Sequence, residues 1–75
     1  MRWQDHITVD PETCHGQACF KGTRILVTVV LDNIAAGIPH EDLLRDYPGL
    51  TEDGIRAALA YAAELAKERV LDLPA

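Results

Sequence analysis

A chain of 75 residues makes one domain, and this one sets seven Lys and Arg against twelve Asp and Glu for a formal charge of -5. A domain this short buries only about 60% of the surface its unfolded chain exposes, so its stability margin is small and oligomerisation would add to it. With 48% hydrophobic and 25% charged residues the composition excludes disorder, and the net acidity restricts any nucleic-acid site to a local basic patch.

Met1–His6 has no basic region leading into an apolar core, and no apolar run approaches the ~20 residues of a membrane helix. A cytoplasmic protein with no membrane partner is therefore expected, with Cys14 and Cys19 reduced.

Ile7-Thr8-Val9-Asp10 alternates apolar and polar residues and stops at Pro11, which predicts a short strand. A second strand around Ala18-Cys19-Phe20 completes a hairpin, and a two-stranded unit is stable only against something else, here the helices that follow. Next comes a corner, Gly22-Thr23-Arg24. Gly22 can take positive φ, Thr23 can bond its own turn, and Arg24 stands where the chain turns toward a buried segment. Its guanidinium can bond turn carbonyls or reach a phosphate or carboxylate outside.

Ile25 to Leu31 is β-branched enough for a strand, yet Val27, Val30, Leu31 and Ile34 recur at helical spacing and Gly37 suits a left-handed stop. A helix is expected over about 28–36, with Arg24 to Leu26 extended. Pro39, Glu41 and Asp42 suit the first turn of a second helix, about 40–47, burying Leu43, Leu44 and Tyr47 before Pro48 and Gly49 end it. Leu50 is a candidate buried staple. Thr51 then caps a third helix, about 52–70, with Glu52 and Asp53 in its first turn.

Ile55, Ala58, Leu59, Ala62, Leu65 and Ala66 are expected inward on this last helix. The opposite side, Ala57, Ala60, Tyr61 and Glu64, is too apolar for a solvated face and predicts a partner or dimer interface. Leu71, Leu73 and Pro74 are expected to form an apolar tail without regular structure.

Helix, tight turn and helix from His40 to Arg56 have helix-turn-helix spacing, with the second helix offering its first turns to a major groove. Glu52 and Asp53 would repel phosphate there and only Arg56 attracts it, so structural pairing of the two helices is the stronger reading. Cys14, His15 and Cys19 carry metal-ligand chemistry but fall short of the four ligands of a structural zinc. Cys14 and His15, as neighbours on a strand, would face opposite ways and could not exchange a proton. No phosphate loop, carboxylate pair or cofactor fingerprint occurs, so neither catalysis nor a cofactor is expected.

Asp10-Pro11, Cys14-His15-Gly16, Phe20-Lys21-Gly22-Thr23-Arg24-Ile25, Val27, Ala36-Gly37, Asp46-Tyr47-Pro48, Leu50-Thr51 and the run Ala57 to Ala63 together resemble the domain-of-unknown-function family numbered 433. The likeness covers nearly the whole chain, with Ala18 where the family commonly has proline and Leu26 where proline or methionine is usual. It implies a mainly α fold, a short N-terminal β-hairpin followed by a three-helix, homeodomain-like helix-turn-helix bundle. It further implies a homodimeric antitoxin that neutralises a nuclease-type, PIN-like toxin and represses its own operon. A stand-alone DNA-binding regulator is the alternative, with Arg56 reading DNA and Lys21, Arg24 and Arg45 on phosphates.

Overall fold

Val27 to Ala35 face a choice between strand and helix, and the helix wins because it alone carries Val27 and Val30 onto one buried face. The computed structural model of the protein describes residues 2–12 and 14–67. In it a turn of 3-10 helix at Trp3–Asp5 leads into β1 (Ile7–Thr8), which pairs antiparallel with β2 (Cys19–Phe20), Ile7 opposite Phe20 and Thr8 opposite Cys19. Three helices follow: α1 (Val27–Ala35), α2 (His40–Asp46) and α3 (Glu52–Lys67). The protein is thus mainly helical with a short N-terminal hairpin, as expected, and each strand is two residues long. The apolar tail and residues 68–70 of the expected third helix lie outside the described residues.

The joints follow from local chemistry. Phe20 to Thr23 forms a turn closed by Thr23 N–H to the Phe20 carbonyl at 3.0 Å, with Gly22 at φ 75 in its third position, the pattern of a type II turn. Ile25 and Leu26 then run back beside β2: Phe20 N–H donates to the Ile25 carbonyl at 3.1 Å, and Val27 N–H to that of Ala18 at 3.0 Å. Helix α1 ends in a Schellman arrangement, Ile38 N–H on the Asn33 carbonyl (3.0 Å) and Gly37 N–H on that of Ile34 (2.9 Å).

Pro39, at φ -62, is the N-cap of α2 rather than its first helical residue. Tyr47-Pro48-Gly49-Leu50 makes a second turn of type II pattern, with Pro second and Gly49 third at φ 99, closed by Leu50 N–H on the Tyr47 carbonyl at 3.0 Å. Thr51 caps α3 as its sequence predicts, its hydroxyl accepting the Gly54 N–H at 3.0 Å.

The core gathers Ile7 and Phe20 from the hairpin, Val27 and Val30 from α1, Leu43 from α2, Leu50, and Ile55, Ala57 and Ala58 from α3. A Cβ at position 54 would stand 3.3 Å from the capping Thr51 hydroxyl, a tight approach, and at ordinary contact distance, 3.5 Å, from Leu50 and the Phe20 ring. Tyr47 packs half-buried against this core, as anticipated for the residue that ends α2.

Candidate functional site

The corner after β2 is locked from inside. The Thr23 hydroxyl donates to the Phe20 carbonyl at 2.8 Å and accepts the Ile25 N–H at 3.0 Å, so the side chain stitches both sides of the turn. From outside, the Tyr47–Leu50 turn presses on it, and Gly49 leaves only enough room for the Thr23 methyl. Arg24 projects from this frame exposed, and among the described residues it makes no ion pair or hydrogen bond. Of the two readings open for Arg24, the structure therefore favours the outward one.

Arg24 stands where three clefts meet. One, about 420 Å³, runs past Cys14 and His15; another, about 710 Å³, runs past Lys21, Thr8 and Asp10; the third, about 580 Å³, is walled by Leu26, Val29, Tyr47 and Pro48.

Of the four cations considered for DNA, the structure brings Lys21 and Arg24 to one cleft. Arg45 is engaged: its guanidinium lies 3.5 Å from Asp42 and 3.3 Å from Asp46, which offsets its charge. Arg56 is exposed near the start of α3, one turn after Glu52 and Asp53. Glu52 in turn meets His40, Nδ1 to Oε1 2.9 Å, tying the starts of α2 and α3 together.

The expected inner face of α3 needs correction. The inward residues are Gly54, Ile55, Ala57 and Ala58, with Tyr61 packed on them, whereas Leu59 and Leu65 are 42% and 46% exposed. Ala62 is half-buried and Ala66 exposed, so neither belongs to the inner face as expected. Ala57 is thus fully buried, and Tyr61 and Glu64 are already engaged by Trp3, whose ring sits edge-on to Tyr61 at 4.8 Å and whose Nε1–H donates to Glu64. Ala60 is half-buried. Alanine on every side of α3 leaves its rotation weakly specified by hydrophobicity, and the Trp3 turn packs on the side that carries Tyr61 and Glu64.

An exposed apolar surface lies around a cleft of about 390 Å³ where Val9, Leu31 and Leu65 converge, with Val9 55% exposed.

Cys14 and His15 are not neighbours on a strand. With Gly16 they form a left-handed turn, at φ 51, 56 and 81, closed by Gln17 N–H on the Cys14 carbonyl at 3.1 Å. Such backbone is costly for residues other than glycine and was not legible in the sequence. Cys19 is fully buried, and burial, reinforced by the neighbouring Cys14 side chain, pushes its thiol up to about 11 from 9.0.

Because the folded value is raised, the unfolded chain releases this proton first as pH rises, and the stability fully present below pH 9 is lost through about 11. Urea midpoints at pH 8, 9.5 and 10.5 should fall more steeply for the wild type than for Cys19→Ala. Parallel slopes for the two proteins would refute the assignment.

A hairpin laid on three helices, with α2 and α3 joined by a tight turn, defines a small domain of helix-turn-helix order. The chain belongs to the DUF433 family, a family of unknown function whose model matches residues 7–62. A solved relative is a DUF433 member from Anabaena variabilis ATCC 29413, 35% identical over 87% of this chain, with a TM-score of 0.77. The chain spans 64% of that protein's length. No curated protein matches it. Among the described residues no helix is long and apolar enough to cross a membrane.

Proposed function

We propose that the chain is an antitoxin-like interaction protein of a bacterial toxin–antitoxin pair, which binds and neutralises a nuclease-type, PIN-like toxin and, within that complex, represses its own operon. The observation that carries the reading is the apolar cleft at Val9, Leu31 and Leu65, large side chains displayed together on a small acidic domain. The charge of -5 supports a basic partner, because opposite charge speeds encounter and rejects wrong partners.

Co-expression with the product of the neighbouring gene tests the reading. A stable complex with suppressed nuclease activity is expected, weakened by Leu65→Glu; a product that neither binds the chain nor loses activity beside it sinks the proposal.

A DNA-binding regulator is the second reading, favoured by the exposed position of Arg56 at the front of α3. Binding to the upstream operator should then fall steeply with salt and weaken in Arg56→Ala. Failure to shift that DNA at low salt, with or without the toxin, would eliminate it.

A further inference from the structure

We propose that the groove between the Gly22–Leu26 corner and the Tyr47–Gly49 turn is a docking site for an extended segment of a partner protein. The segment places a carboxylate on Arg24 and an adjacent apolar side chain against Leu26, Val29 and Tyr47.

Two independent features of the groove define that chemistry. The first is charge: Arg24 is the one charged side chain lining it, exposed and without an ion-pair partner among the described residues. A guanidinium offers a planar fork of donors that matches a carboxylate, and it is less strongly hydrated than an ammonium, so it tolerates an apolar setting. The second is a backbone edge. Leu26 lies opposite Cys19 in the ladder, and the bonds on either side of that pair come from Phe20 and Val27. The alternation of an antiparallel ladder therefore turns the Leu26 N–H away from β2, and it has no acceptor among the described residues. An incoming main-chain carbonyl can take that bond, as when a peptide adds itself to a sheet edge.

The apolar walls decide between classes of partner. A nucleic-acid backbone is held by several cations along a polar track, and one arginine above Leu26, Val29 and the Tyr47 ring does not supply that. A peptide combining an apolar side chain with an acid uses everything the groove presents. Both walls are fixed before anything arrives, one by the Thr23 hydroxyl bonds and the other by the Tyr47–Leu50 turn, so binding orders little of the protein. This surface is separate from the Val9–Leu65 cleft, and the inference stands independently of the antitoxin reading.

The test is a selection of displayed dodecapeptides on the full chain. The enriched peptides should carry an apolar residue within two positions of Asp or Glu, and a synthetic copy should shift the Leu26 amide resonance on titration. Arg24→Glu should lose about tenfold or more in affinity while Arg24→Lys retains part of it. Thermal melts of both variants should match the wild type, since Arg24 is exposed. Failure to enrich any motif, enrichment of basic peptides, or equal affinity for Arg24→Glu would each overturn the proposal. A chain that selects such peptides but leaves the neighbouring gene's product unbound would instead overturn the antitoxin reading alone.

Discussion

Ile55→Ala should cost roughly 2–5 kcal/mol, enough to lower the melting temperature by roughly 10–30 °C in a domain of this length. Ile55 is fully buried, and its neighbours in the core come from the hairpin and from all three helices. Truncation removes methylenes where no single neighbour can move in without loosening another contact. A small domain has only about 5 kcal/mol or a little more to lose, so this variant should be partly unfolded near 37 °C. Ile55→Val should cost only about 0.5–1.5 kcal/mol, which separates volume from chemistry. Circular dichroism melts of both variants check this. A loss below about 1 kcal/mol for the alanine variant would mean that the core is not centred on this residue.

Gly49→Ala should be the most damaging single-methyl addition, at about 1–3 kcal/mol. Position 49 sits at φ 99, which side-chain-bearing residues rarely adopt, and an added Cβ would stand 3.2 Å from the Thr23 methyl. The two causes can be separated. Thr23→Ser removes the methyl but keeps the hydroxyl that bonds Phe20 and Ile25, so in the double variant the crowding disappears and the backbone strain remains. Part of the loss should therefore be recovered in Gly49→Ala/Thr23→Ser, as measured by urea unfolding of all four proteins. Full additivity would show that strain alone is responsible and that the corner and the turn are not tightly packed together.

Much of the fold could be read from the chain because its joints use residues with a single strong preference. Gly37 closes α1, Pro48-Gly49 makes the turn before α3, and the Thr51 hydroxyl starts that helix. The rotation of α3 was harder to read, since alanine contributes similar hydrophobicity at every angle, and one of its contacts comes from Trp3, sixty-one residues from its hydrogen-bond partner Glu64. Nor did anything in Cys14-His15 signal a left-handed turn, which residues with a Cβ adopt only when surrounding structure compels it.

The candidate surfaces divide the same way. Arg24 was visible as a cation at a corner, but the apolar groove beside it depends on Tyr47-Pro48 arriving from a distant part of the sequence.

The clasp of Trp3 over Tyr61 and Glu64 also bears on how the chain is made. The Trp3 turn and the hairpin are synthesised well before α3, on which Trp3 sits. At about 5–20 residues per second, sixty-one residues correspond to roughly 3–12 seconds in which Trp3 lacks the partner it bonds. Helix formation takes about a microsecond, so the helices can form as they emerge while the Trp3 turn waits for α3. Emergence of α3, rather than the appearance of the Trp3 turn, is therefore the event that sets this clasp.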